Sequence, residues 1–166
     1  MRPISAQIDL PAMERSILDF WRTHSIFQAS TAARVGAQPW TFYEGPPTAN
    51  GMPGTHHIEA RVFKDVFPRY QTMKGKYVTR KAGWDCHGLP VEIAVEKELG
   101  FSGKGDIEKY GIAAFNDKCR ESVTRHVDAF TTMTNRMGFW VDFDQAYWTM
   151  APEYVESVWW SLKEIW

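Results

Sequence analysis

The chain has 166 residues, of which 44% are hydrophobic and 23% charged, so it can form a globular core and is not disordered by composition. The net charge of -1 provides no general attraction for nucleic acid, and two widely separated cysteines favour neither a disulfide scaffold nor a zinc site. Neither an apolar signal core nor a run of about 18 apolar residues is visible, which predicts a cytoplasmic protein without a membrane partner.

The first elements predict a strand, a helix and a strand. Asp9 and Pro11 indicate a helix start, followed by a small, polar connector over residues 25–39. Residues 40–44 are predicted to form a strand that stops at two prolines, and residues 77–82 a second strand. The helix between them begins near His56, and Pro68 is expected to kink or split it. This order favours a right-handed parallel crossover, and hence an α/β fold.

The second half of the chain is predicted to be helical. Pro90 opens a helix that closes at Gly100, and Asp106 is expected to cap a short helix. One long helix then runs to a stop at Gly138. A last helix starts at Pro152 and is expected to bury apolar positions at helical spacing, namely Val155, Val158, Trp159, Leu162 and Trp166.

The turn over residues 45–54 is a candidate phosphate site. A glycine-rich turn between a strand and a helix lets backbone N–H groups approach a phosphate, and the N-terminus of the helix adds partial positive charge. His56 and His57 begin the helix and can donate hydrogen bonds to an α-phosphate as charge develops there. Taken alone, the same residues also fit a surface loop in which the two histidines cap the helix.

Asp85 follows the second predicted strand, at the edge where open parallel sheets bind ligands. Its carboxylate suits the ammonium group of an amino acid, although a cap for the helix near Pro90 is an equal alternative. Cys86 and His87 are adjacent but have no partners in the pattern, so no metal site is predicted.

Two blocks of sequence carry a family resemblance. Residues 43–51 read Tyr-Glu-Gly-Pro-Pro-Thr-Ala-Asn-Gly, and residues 83–92 read Gly-Trp-Asp-Cys-His-Gly-Leu-Pro-Val-Glu. Together they resemble class I aminoacyl-tRNA synthetases of the isoleucyl kind. Members of that family carry a His-x-Gly-His signature, whereas this chain has Gly54 and His56 exchanged before His57. The exchanged form resembles a eukaryote-like bacterial branch that is associated with mupirocin tolerance.

The resemblance implies the first half of a Rossmann-like parallel-sheet domain, with residues 1–38 as an N-terminal helix and connector and residues 39–166 as half of the catalytic domain. It implies that ATP, with Mg²⁺, activates isoleucine to isoleucyl-adenylate, and that the isoleucyl group then passes to tRNA. His57 and His56 would be catalytic, and Gly45, Pro46 and Asp85 would bind the amino acid. The residues that would bind ATP are Asn50, Gly54, Thr55, His56 and His57.

Parts that the family needs are missing from these 166 residues. The Lys-Met-Ser-Lys-Ser motif, the editing domain and the anticodon-binding domain do not occur in the sequence. We therefore expect an N-terminal fragment that is nearly inactive alone and has the remainder of the synthetase chain as a partner. The alternative is a truncated, non-catalytic module that binds a nucleotide or a protein partner. Continuation of the natural reading frame past Trp166 would discriminate between the two.

Overall fold

The computed structural model describes residues 7–166 and contains a small parallel sheet. Strand β1, Lys81–Trp84, pairs with strand β2, Asp142–Trp148. The register shifts inside this pair, because Lys81 lies opposite Asp142 whereas Gly83 lies opposite Tyr147. A single parallel bridge also joins Pro39 to Tyr77. The α/β prediction with a parallel sheet is confirmed. Residues 1–6 of the predicted segment 1–38 lie outside the described residues.

Residues 7–166 contain eight helices besides the sheet. Their bounds in chain order are α1 Leu10–Thr23, α2 Ile26–Ala32, α3 Thr55–Met73, α4 Leu89–Leu99, α5 Lys104–Tyr110, α6 Ile112–Thr124, α7 Val127–Arg136 and α8 Pro152–Ile165. None of the helices in this part of the chain has the length and apolar character needed to span a bilayer.

Several helix boundaries follow local signals in the sequence. The carboxylate of Asp9 accepts a hydrogen bond from the backbone N–H of Ala12 at 3.0 Å, which satisfies a free donor at the start of α1. Gly100 and Gly138 follow α4 and α7 with φ of +71° and +73°, a left-handed conformation that favours glycine. These starts and stops, and the start of α8 at Pro152, are confirmed.

The predicted strand over residues 40–44 is wrong, and the predicted connector over residues 25–39 includes a helix. The connector contains α2, and residues 40–44 are extended without ladder pairing beyond the bridge at Pro39. Side chains from other elements hold this segment instead: the hydroxyl of Tyr147 donates to the carbonyl of Glu44 at 2.9 Å. The strand predicted at residues 77–82 lies further along, at Lys81–Trp84.

Three helix predictions also need correction. The long helix is broken into α6 and α7, and at the break the backbone N–H of His126 donates to the carbonyl of Ala49 at 3.1 Å. Gly103, not Asp106, is the N-cap of α5, and the Asp106 carboxylate accepts from the backbone N–H of Ser102 at 2.9 Å. Pro68 lies inside α3 without splitting it.

The buried core does not include the apolar stripes that helical spacing indicates on α3 and α8. The central cluster combines the end of β1 with α4, α6 and α7, and its buried members are Ala49, Trp84, Cys86, Val91, Val123 and Phe130. In contrast, no residue of α8 is buried, so the predicted burial of its stripe is wrong. Trp159 is 68% exposed and Leu162 53% exposed. Helix α3 also turns its apolar stripe outwards and buries Arg61, Pro68 and Thr72.

Candidate functional site

The turn over residues 45–54 leads directly into α3, and His57 closes the start of that helix. Gly54 is the N-cap residue, and its backbone N–H donates to Nδ1 of His57 at 2.9 Å. Because Nδ1 accepts this bond, the ring proton lies on Nε2, which remains a hydrogen-bond donor. The half-buried ring also lies edge-on to Phe130, with 4.8 Å between the ring centroids.

The surroundings of His57 keep its imidazole neutral. Burial is the largest cause that lowers the pKa of His57 below its ordinary value of 6.5, and the nearby His56 and Arg61 lower it further. At neutral pH the residue is therefore an uncharged ring that presents one N–H.

His56 is exposed and folds back against Gly54. The centroids of the His56 and His57 rings are 3.9 Å apart. A Cβ built on Gly54 would lie 2.9 Å from Cε1 of His56, closer than real Cβ contacts. In its present conformation the imidazole of His56 therefore occupies space that a side chain at position 54 would need. Thr55, the other predicted ATP-binding residue of this turn, is exposed at the first position of α3.

Asp85 lies just beyond the C-terminal end of β1 and is bonded to the turn. Its half-buried carboxylate accepts a hydrogen bond from the hydroxyl of Thr48 at 3.1 Å, and its backbone N–H donates to the carbonyl of Pro47 at 2.9 Å. Within residues 7–166 no lysine, arginine or histidine forms an ion pair with this carboxylate. The group is thus held in place by neutral donors and remains able to pair with a cation.

The turn connects the two predicted ends of the site. Ala49 is fully buried, and Asn50 reaches across to α4, where its side-chain amide donates to the carbonyl of Pro90 at 3.4 Å. Gly45 is exposed and Pro46 half-buried at the beginning of the same turn. All the residues predicted for ATP and for the amino acid therefore lie on this turn, on the first residues of α3 or at the end of β1.

Three contacts of the turn were not anticipated from the sequence, and they involve Glu44, Lys64 and Tyr147. Lys64 forms an ion pair with Glu44 and also donates to the carbonyl of Gly45 at 3.0 Å. A signal for Lys64 was present, because His57, Arg61 and Lys64 recur at helical spacing and so share one face of α3. Tyr147 had no comparable signal, since β2 was not predicted as a strand.

A cavity in the described part of the chain lies away from this site. It has a volume of about 700 Å³ and lies between α1, α7 and β2, where Trp21, Phe27 and Trp140 contribute to its walls. None of the predicted site residues lines it. Among the described residues, no group of three or more His, Cys, Asp or Glu side chains is placed to hold a metal ion.

Comparison with known proteins identifies the family. The tRNA synthetases of class I (I, L, M and V) match residues 16–166. The chain belongs to this family. Proteins named isoleucine--tRNA ligase from Cutibacterium acnes and Streptomyces avermitilis are 70% and 71% identical to it over 98% and 99% of its length. The chain spans only 15% and 16% of those two relatives.

A solved class I structure shows the same fold. It is a crystal structure of the ternary complex of Agrobacterium radiobacter K84 agnB2 LeuRS with tRNA and LeuAMS. The TM-score is 0.57 at 21% sequence identity, and the match covers 95% of this chain and 18% of that chain. The match therefore supports a Rossmann-like fold for the two-stranded sheet and its helices.

Proposed function

We propose that this chain forms the amino-acid- and ATP-binding part of an isoleucine--tRNA ligase, in which residues 39–166 are the N-terminal half of the catalytic domain and residues 1–38 an N-terminal helix and connector. The observation that carries the proposal is the position of the Asp85 carboxylate. It has no ion-pair partner within residues 7–166, and it is bonded through Thr48 to the turn that ends at His57. A cation-binding group and a candidate phosphate-binding turn therefore share one edge of the sheet.

At the amino-acid end, Asp85 pairs with the α-ammonium of isoleucine. Thr48 holds the carboxylate through a neutral hydrogen bond, so its charge is available for the substrate. The backbone at Gly45 and Pro46 lines the space for the side chain. The names of the relatives support isoleucine as the amino acid, since the proteins that are 70% and 71% identical are both called isoleucine--tRNA ligase.

At the phosphate end, His57 acts as a neutral hydrogen-bond donor. Gly54 fixes the proton on Nε2, and burial keeps the ring uncharged. We assign this N–H to the α-phosphate of ATP, where negative charge grows as the isoleucine carboxylate attacks and pyrophosphate leaves. A donor aimed at developing charge stabilises the transition state more than the ground state. His56, Thr55 and Asn50 complete the nucleotide side, and Mg²⁺ enters with ATP.

The adenylate then passes its isoleucyl group to the terminal ribose of tRNA. That step, and tRNA recognition, belong to the full-length protein, by which we mean the product of the complete reading frame that carries this chain. The relatives are about six times longer, as the 15–16% coverage shows. The cytosolic location predicted from the sequence is part of the same proposal.

Isoleucine-dependent exchange of pyrophosphate into ATP by the full-length protein tests this function. Asp85→Ala should raise the Michaelis constant for isoleucine by about 30-fold or more and leave that for ATP nearly unchanged, because truncating one member of a desolvated charge pair costs roughly 2–5 kcal/mol. Asp117→Ala is a matched control, since Asp117 forms an exposed pair with Arg120 far from the turn. An unchanged constant for isoleucine in Asp85→Ala would contradict the assignment, and no exchange in the unmodified protein would refute the function.

A further inference from the structure

The extended segment before the turn is held by side chains instead of by a strand ladder. Lys64 of α3 contacts this segment twice, through an ion pair with the Glu44 carboxylate and a 3.0 Å hydrogen bond to the carbonyl of Gly45. Tyr147 of β2 contacts it from the other side, where its hydroxyl donates to the carbonyl of Glu44 at 2.9 Å. Two residues that are 83 positions apart in the sequence thus hold neighbouring carbonyls, Tyr147 that of Glu44 and Lys64 that of Gly45.

Burial makes these contacts stronger than ordinary surface contacts. The side chain of Glu44 is only 4% exposed and that of Lys64 26% exposed. Removing the cation from a buried ion pair destabilises its surroundings, and here Arg61 would be left as the positive charge that interacts with Glu44. One carboxylate oxygen of Glu44 has no hydrogen-bond partner in the described part of the chain, so the contact with Lys64 on the other oxygen is the main restraint on this side chain.

The sequence of β1 makes room for Tyr147. A Cβ on Gly83 would lie 2.4 Å from the ring of Tyr147, so the ring can rest on β1 only because residue 83 is glycine. The ring also stacks on Tyr154 of α8, with 5.7 Å between the centroids and an interplanar angle of 3°. The hydroxyl is therefore held at a defined place relative to the sheet edge that carries Asp85.

We propose that Lys64 and Tyr147 are positioning residues, which place the backbone of Glu44 and Gly45 at the amino-acid end of the site. This inference rests on the proposed function, in which the backbone at Gly45 and Pro46 lines the space for isoleucine. Pro47, which follows, already accepts a hydrogen bond from the backbone of Asp85. A shift of the segment thus alters the distance between the substrate side chain and the carboxylate that binds its ammonium group.

The phosphate end has separate anchors. Gly54 is bonded to His57, and the carbonyl of Ala49 accepts from the backbone of His126. Neither anchor depends on Lys64 or on Tyr147. Loss of either positioning residue should therefore weaken the use of isoleucine and leave the use of ATP almost intact.

The experiment measures pyrophosphate exchange by the full-length protein, with the concentration of active sites titrated for each variant. Lys64→Met keeps the aliphatic stem and removes the charge, and Tyr147→Phe removes only the hydroxyl. Lys74→Met is the control, because Lys74 is the C-cap residue of the same helix and its ammonium lies over the ring of Tyr70, 5.3 Å from the centroid. We expect the Michaelis constant for isoleucine to rise by about 10- to 100-fold in Lys64→Met, the loss that one or two poorly paired polar contacts with a substrate cause, and by several-fold in Tyr147→Phe.

In the expected result the Michaelis constant for ATP and the turnover number per active site change by less than threefold, and Lys74→Met behaves as the unmodified protein. Equal losses for isoleucine and ATP would indicate a merely structural role and overturn the inference, as would unchanged constants in both variants. If Lys64→Met does not fold, Tyr147→Phe decides alone. If the unmodified protein activates isoleucine and the variants behave like it, only this inference is refuted. If the unmodified protein does not activate isoleucine at all, the proposed function is refuted as well.

Discussion

Replacement of His57 by alanine separates two roles that the structure gives to one side chain. Nδ1 of His57 caps α3 by accepting from the Gly54 backbone, whereas Nε2–H is the donor that we assign to the α-phosphate. Loss of the cap lowers the free energy of unfolding by about 1 kcal/mol, within a range of roughly 0.5–2 kcal/mol. Typical domains have about 5–15 kcal/mol of stability, so most molecules stay folded at 25 °C.

Loss of the donor acts on the reaction instead. Removing one preorganised donor to a developing oxyanion typically lowers the rate by about 10²–10³, or roughly 2.7–4 kcal/mol. We therefore expect His57→Ala to slow adenylate formation by that factor in single-turnover experiments on the full-length protein, counted per titrated active site. The affinity for isoleucine at equilibrium should change little, because we assign the ammonium group of isoleucine to Asp85 and not to His57.

His24→Ala is the matched control for the cap. His24 is the C-cap residue of α1, and its Nδ1 is hydrogen-bonded to the carbonyl of Phe20 at 2.9 Å, so this variant also removes a histidine contact at a helix end. It should lower the melting temperature without changing the rate. If His57→Ala lowered the melting temperature but kept the rate per active site within about threefold, His57 would be a cap only. If His57→Ala greatly weakened ATP binding while the rate of adenylate formation stayed unchanged, His57 would bind ATP in the ground state and would not stabilise the transition state.

Further predictions concern stability and assembly. Folding lowers the pKa of His57 below its ordinary value of 6.5, so the unfolded chain binds more protons at this residue than the folded chain does. The stability contributed by the neutral ring is therefore fully present above about pH 6.5 and is lost as the pH falls through the pKa of the folded state. Melts at pH 7.5 and 5.5 should thus show a smaller gap between the unmodified protein and His57→Ala at pH 5.5, and an unchanged or wider gap would contradict this. Gly83→Ala, whose Cβ would lie 2.4 Å from the Tyr147 ring, should cost about 1–3 kcal/mol in denaturant unfolding, and a neutral effect would show that the ring moves freely. The isolated 166-residue chain should self-associate in size-exclusion chromatography through the exposed apolar faces of α3 and α8, whereas a compact monomer with a sharp melt would show those faces to be harmless.

The helix ends were predictable because their signals are local. Asp9, Gly100, Gly138 and Pro152 each act on the backbone within a few residues of themselves, through a cap, a positive φ or a missing donor. The break between α6 and α7 was not predictable in this way. It is formed where the His126 backbone bonds to Ala49, a partner 77 positions earlier in the chain.

Strand pairing was harder to predict than helix boundaries. Residues 40–44 have the aromatic and β-branched character of a strand, yet backbone pairing stops at Trp40, and Glu44 is held by side chains from α3 and β2. β2 escaped prediction because its first half is polar: the Asp142 carboxylate accepts from the backbone of Asp144 and Gln145, a local turn within the strand that accounts for the shifted register. The outward-facing stripes of α3 and α8 show that apolar spacing predicts a helix but not which face will pack.

In the candidate site, too, local signals were predictable from the sequence and long-range contacts were not. Asp85 and His57 were candidates because each stands at a position where the local chain makes chemistry possible, the end of a strand and the start of a helix. Their partners depend on tertiary contacts that no local pattern contains. Thr48 meets Asp85 across 37 positions, and the hydroxyl of Tyr147 meets the carbonyl of Glu44 across 103 positions.

The exchange of glycine and histidine before His57 has a physical explanation in this geometry. The ring of His56 lies where a side chain at position 54 would begin, 2.9 Å from the built Cβ. A side chain at 54 would therefore require the His56 ring to move, and the exposed ring can rotate away. The observed conformation favours glycine at 54 without requiring it, and it places one imidazole beside His57, with 3.9 Å between the ring centroids.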